Sequence, residues 1–105
     1  LAKAAQPATF SFSETQHIRV EIGPDGGPLF CAVDVCAVLG HSNPSMAVKQ
    51  HCREAGVTVR YLRSGGQRRA LTFIDEGNLY RLILKSRLPA AQRFEAWVCD
   101  EVLPA

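Results

Sequence analysis

The sequence has 105 residues and a mass of 11.5 kDa, enough for one domain of ordinary size and too little for two independent cores. Hydrophobic residues make up 47% and charged residues 21%, which excludes a disordered tail, a collagen-like chain or a low-complexity linker. Twelve Lys and Arg stand against ten Asp and Glu, a net charge of +2 that by itself names no partner.

The charge is unevenly spread. Residues 1–55 carry 4 basic and 5 acidic side chains, residues 56–105 carry 8 and 5, and between Arg60 and Arg93 the count is 8 against 2. No apolar run approaches the roughly 18 residues of a membrane span, and the first residues lack a basic segment followed by an apolar core. A soluble domain is expected. The four cysteines sit mostly where a small hydrophobe fits, which predicts reduced thiols in a cytoplasm.

In chain order, residues 1–8 read as a flexible lead and 9–105 as the folded domain. Thr9–Ser13 and His17–Ile22 alternate at period two, as half-buried strands do. Gly23, Pro24, Asp25, Gly26 and Gly27 are dense turn chemistry, and Pro28–Cys31 closes a hairpin across them, giving an amino-terminal β-meander. From Val33 the period changes: Val35, Val38 and Leu39 mark a short helix with Asp34 in its first turn and Gly40 as its stop. Asn43 followed by Pro44 predicts a second helix, to about Cys52 or Arg53. Its inner side would hold Ala47, Val48 and Cys52, and its outer side Ser45, Lys49 and Arg53 at spacings of four, with Gln50 beside them.

Gly56 ends that unit. Val57–Leu62 and Ala70–Ile74 read as strands joined by the turn Ser64, Gly65, Gly66, Gln67. Asp75 caps a helix through Lys85, with Leu79, Leu82 and Ile83 inward and Asn78, Arg81 and Lys85 on one polar stripe. Pro89 opens a last helix that buries Phe94, Trp97, Val98 and Val102. The class is α+β: β-meander, short helix pair, β-hairpin, two carboxy-terminal helices.

Three constellations bear on function. The helix pair joined through Gly40, His41, Ser42 and Asn43 fits both a helix-turn-helix reader of DNA and a plain αα-hairpin. The hairpin arginines Arg60, Arg63, Arg68 and Arg69, with Arg81, Lys85 and Arg87, would form a phosphate-binding face, because counterion release needs several cations together. Arg outnumbers Lys by 9 to 3, and its planar fork suits phosphate and guanine alike. Strand alternation still sets Arg60 and Arg63 on opposite faces. Cys31, Cys36, His51 and Cys52 lack the paired spacing of a zinc knuckle, and no catalytic motif is present. Neither enzyme activity nor a metal or other cofactor is expected.

The runs Phe30 to Ser45, Phe73 to Ile83 and Ser86 to Pro104 resemble, in this order, the motifs of the Bro amino-terminal domain, found in baculovirus repeated-ORF proteins and in phage and prophage antirepressors. The resemblance covers roughly residues 10 to 105. It implies a nucleic-acid-binding module of viral or prophage origin, followed by a different carboxy-terminal domain and acting in the bacterial cytoplasm. The expected partner is double-stranded DNA, held by Asn43, Ser45, Lys49, Gln50, Arg53, Arg60, Arg63, Arg68, Arg69, Arg81, Lys85 and Arg87. The alternative partner is a phage repressor protein, and a homo-oligomer stays open.

Overall fold

The computed structural model describes residues 8–103; most of the expected lead, residues 1–7, lies outside them. Five strands form one antiparallel sheet: β1 (Ala8–Ser11), β2 (His17–Ile22), β3 (Pro28–Cys31), β4 (Val57–Ser64) and β5 (Gln67–Ile74), in the spatial order β1-β2-β3-β5-β4. The helices are α1 (Ala32–Leu39), α2 (Pro44–His51), α3 (Glu76–Lys85) and α4 (Ala90–Trp97). The α+β class and the element order are those expected.

Alternation gives the sheet two apolar faces. Ile18, Val20, Phe30 and Ile74 lie under the helices, where they meet Val35, Leu39, Leu79, Leu82, Phe94 and Val98 in the main core. Leu29, Cys31 and Phe73 form a second, smaller cluster flanked by Leu62 and Leu71. Glu21 of β2 and Arg60 of β4 are 3.1 Å apart although β3 and β5 separate their strands. The sheet therefore curls around this second cluster, and the curl buries it without a covering helix.

The edge strand β1 is held by aromatic contacts. Phe12 meets Phe94 and Trp97 edge-on at ring-centroid distances of 5.4 Å, and Phe10 meets Trp97 at 6.4 Å, the geometry that ring quadrupoles favour. After Trp97 the chain widens into a π-helical turn over Val98–Val102. Phe94, Val98 and Val102 recur every four residues, and the wider turn keeps all three on the buried side.

Two expectations fail locally. Helix α2 ends at His51, with Cys52 already extended (ψ 150°), so Arg53 does not continue the Ser45–Lys49 row. Asn78 is not on a polar stripe with Arg81 and Lys85: it is 1% exposed. Its Oδ1 accepts from Arg53 N at 2.8 Å, and its Nδ2 donates to Arg53 O at 2.9 Å. Both Asn78 amide groups are thus matched to a main-chain pair, which makes burial of a polar side chain tolerable. Beside it, Gly56 packs so closely on Asp75 and Asn78 that a Cβ there would overlap both side chains.

Candidate nucleic-acid interface

The most basic element is the β4–β5 hairpin. Between Val57 and Ile74 the sequence holds four arginines and no carboxylate. Strand β3 pairs with β5 only at Phe30–Ile74 and Cys31–Phe73, so among the described residues β5 from Gln67 to Thr72 has β4 as its only strand partner and the hairpin is a two-stranded ribbon. Its tip is a two-residue turn in which Gly65 and Gly66 both take positive φ (60° and 80°). Such a turn matches the right-handed twist of the flanking strands and is costly for residues with a Cβ.

Register decides where the arginines point. Arg63 faces Arg68 across the ladder, and Leu62 faces Arg69. Tyr61, Arg63 and Arg68 therefore share one face of the ribbon, and Arg60, Leu62 and Arg69 the other. The guanidinium of Arg68 sits 5.2 Å from the Tyr61 ring centroid, a cation–π contact that holds it along the ribbon. The Arg63–Arg68 pair and Arg69 are exposed on opposite faces, so the tip is cationic on both sides.

Arg60 and Arg81 differ from the rest. Arg60 is half-buried and ion-paired with Glu21; its Nε–H is not aligned for a hydrogen bond, so the contact is chiefly charge on charge. Arg81 is half-buried too, its Nε buried without a hydrogen-bond partner, and its charge offsets part of the upward push that burial gives the Cys52 thiol.

The other ten candidates are exposed. Asn43 is nevertheless a helix cap first: its Oδ1 accepts from Met46 N at 3.1 Å, supplying one of the donors that a helix start leaves free. Ser45, Lys49 and Gln50 lie on the open side of α2, while Ala47 is buried beneath it. Arg53 is held by its main chain to Asn78, in the link between α2 and β4. Lys85 ends α3, and Arg87 follows in the corner before α4.

Sequence reading missed one strong pair. Asp34 Oδ2 accepts from Arg19 Nε at 2.9 Å and from Arg19 N at 3.0 Å, and Asp34 Oδ1 accepts from Arg19 Nη2 at 3.0 Å. This two-pronged carboxylate contact raises the Arg19 pKa. It also gives β2 an acceptor where β3 gives way to α1. Alternation put Arg19 opposite Ile18 and Val20, but nothing local tied it to a residue 15 positions away.

Burial pushes the Cys36 thiol up to about 11, with Cys52 nearby adding to it, and also raises Cys31. No group of three potential metal ligands occurs among the described residues. Nor, among them, is any helix long and apolar enough to cross a membrane.

The fold and site define an α+β domain that presents a cationic two-stranded ribbon and a short capped helix. The chain belongs to the BRO family, whose N-terminal domain matches residues 17–104. It is 48% identical over 99 residues to a protein of Haemophilus influenzae, an alignment covering 94% of this chain and 49% of that one. A Bro-N domain-containing protein of Invertebrate iridescent virus 6 is 32% identical over 117 residues, covering 92% and 28%. Another, protein J of Lymantria dispar multicapsid nuclear polyhedrosis virus, is 27% identical over 112 residues, covering 90% and 28%. The chain thus spans about half the length of the bacterial relative and little more than a quarter of the viral ones. No solved structure matches it.

Proposed function

We propose that the domain binds double-stranded DNA, as the amino-terminal module of an antirepressor-like transcription regulator of viral or prophage origin working in the bacterial cytoplasm. The observation that carries this reading is the ribbon with exposed arginines on both faces and no carboxylate along its length. A two-stranded ribbon fits the major groove, which is about 12 Å wide. Inside a groove, cations on its two faces meet the two phosphate walls at once. A ribbon lying flat on a surface would use only one face. Arg63, Arg68 and Arg69 thus supply phosphate contacts, and Lys49 and Gln50 on the open side of α2 supply contacts to base edges. The role is binding, without catalysis. Family membership supports the same reading through the resemblance to phage and viral regulators.

Two sets of substitutions test it. Lys49→Ala or Gln50→Ala should weaken binding to a preferred duplex by about 1 to 3 kcal/mol while changing nonspecific binding much less. The double change Arg68→Ala and Arg69→Ala should weaken binding to all sequences alike and make the salt slope shallower by about one unit per lost contact. Loss of sequence discrimination from the hairpin change alone would make the ribbon the reader and α2 half of a simple helix pair. Absence of duplex binding at low salt, with tight capture of a phage repressor, would move the function to a protein partner.

A further inference from the structure

The same hairpin leaves a sheet edge open. Among the described residues strand β4 pairs only with β5, so its outer side is the end of the described sheet. The two-residue turn makes Ser64 and Gln67 a hydrogen-bonded pair, and pairs alternate from there along an antiparallel ladder. Leu62, Arg60 and Thr58 therefore turn their main-chain groups to β5. Val59, Tyr61 and Arg63 turn theirs to the open edge. Exposed edges of this kind are usually short, covered or charged, because they template pairing with another chain.

The edge borders a largely apolar groove of about 910 Å³, whose lining includes Ile22, Val59 and Tyr61 together with the charged Glu21, Arg60 and Arg68. Ile22 is 68% exposed, Val59 52% and Tyr61 62%. Single exposed apolar residues are ordinary, but three around one groove beside an unpaired edge mark an interaction surface.

We propose that this edge is a homodimer interface, with β4 pairing antiparallel to β4 of a second copy about a two-fold axis at Arg60. In this register Val59 lies opposite Tyr61 of the second copy, and Tyr61 opposite its Val59. Both are hydrogen-bonded positions, so each crossing joins an aromatic to a β-branched side chain, a pairing that favours sheets. The three exposed side chains offer roughly 400 Å² per copy, about half of the roughly 800 Å² that each partner contributes to a standard interface. The strand main chain and the groove walls add to that.

Charge is balanced at the axis, while Arg68, stacked on Tyr61, keeps its charge beside the contact. At the axis Arg60 meets its own copy, and Glu21 at 3.1 Å neutralises each. Arg63 lies opposite Val57 of the second copy, which leaves the two Arg63 side chains about 20 Å apart, beyond the roughly 8 Å screening length of physiological salt.

The consequence for DNA rests on the function proposed above. In this register the two Gly65–Gly66 tips are offset by 11 strand residues, or about 36 Å at roughly 3.3 Å per residue. Half-sites one duplex turn apart are about 34 to 36 Å from centre to centre. A two-fold dimer would then set one cationic tip at each half of a palindromic site.

Sedimentation of the chain in the absence of DNA tests the interface. The expected result is a concentration-dependent mass approaching twice 11.5 kDa. Val59→Pro removes an outward N–H without touching the β4–β5 ladder, and proline is tolerated at such edge positions; it should give a monomer with an unchanged circular dichroism spectrum. Tyr61→Arg puts like charge into the contact and should do the same, which keeps the test valid if the proline variant folds poorly. A wild-type monomer up to the solubility limit overturns the proposal, as does a dimer that survives both changes or an edge that pairs only with a different protein. Dimerisation without DNA binding would instead leave this interface standing and remove the proposed function.

Discussion

The side chain of Asn78 on α3 closes a pair of hydrogen bonds with the main chain of Arg53, one in each direction, at 2.8 and 2.9 Å. Asn78 is itself fixed by Asp75, whose Oδ1 accepts from Asn78 N at 2.9 Å at the start of α3, and Asp75 N donates to Gly56 O at 3.0 Å. The link from α2 to β4 is therefore fastened at both ends to one helix start. This ties the end of the short helix and the start of the basic ribbon to α3, as the proposed binding of one duplex by both elements requires.

Replacing Asn78 by Ala should destabilise the domain by about 1 to 3 kcal/mol, since it removes the partners of the part-buried main-chain N–H and C=O of Arg53. Urea unfolding monitored by circular dichroism measures this. A loss below half a kcal/mol would mean that water replaces the amide and that the link is not held as described.

Gly56→Ala should destabilise by about 1 to 3 kcal/mol through overpacking against Asp75 and Asn78. Combined with Asn78→Ala the two costs should not add, because removing the amide relieves part of the overlap. A double-mutant cycle on unfolding midpoints reads the coupling directly. Strict additivity would contradict the close approach.

Asp34→Ala should cost about 2 to 3 kcal/mol, as it removes two charge-assisted bonds to the Arg19 guanidinium and the acceptor for the Arg19 N–H. Hydrogen exchange should show faster opening at β2 beside the start of α1, with the ribbon unaffected.

The Cys36 thiol carries a pH dependence. Its folded pKa of about 11 lies above the ordinary 9.0 because burial disfavours the thiolate. The folded state thus holds its proton more tightly than the unfolded state. The contribution is fully present below pH 9 and is lost as pH rises from 9 to about 11, an effect of at most about 3 kcal/mol. The Cys36→Ala variant should lack this part of the alkaline decline when urea midpoints are compared across that range. Identical declines in both proteins would contradict it.

Much of the fold was legible because its signals are local. Asn43-Pro44 and Asp75 announced helix starts that the structure places at those residues, and Gly65-Gly66 announced the ribbon turn. The pairs that shape the site are not local. Glu21 and Arg60, Arg19 and Asp34, and Arg53 and Asn78 are separated by 39, 15 and 25 positions. Periodicity placed Asn78 beside Arg81 and Lys85, since a buried amide leaves no mark in a hydrophobic pattern when its partners are main-chain groups. Arg60 read as one more surface cation for the same reason. Its acidic partner comes within reach only because the sheet curls.

Electrostatic capture of a duplex by the ribbon is tested most directly by the dependence of duplex affinity on salt. About four phosphate contacts, from Arg63, Arg68, Arg69 and Lys85, give an expected slope of log affinity against log salt of about −3 to −4. The Arg68→Ala, Arg69→Ala variant should reduce that slope by about two units. A flat salt response, or a slope unchanged in that variant, would contradict the account.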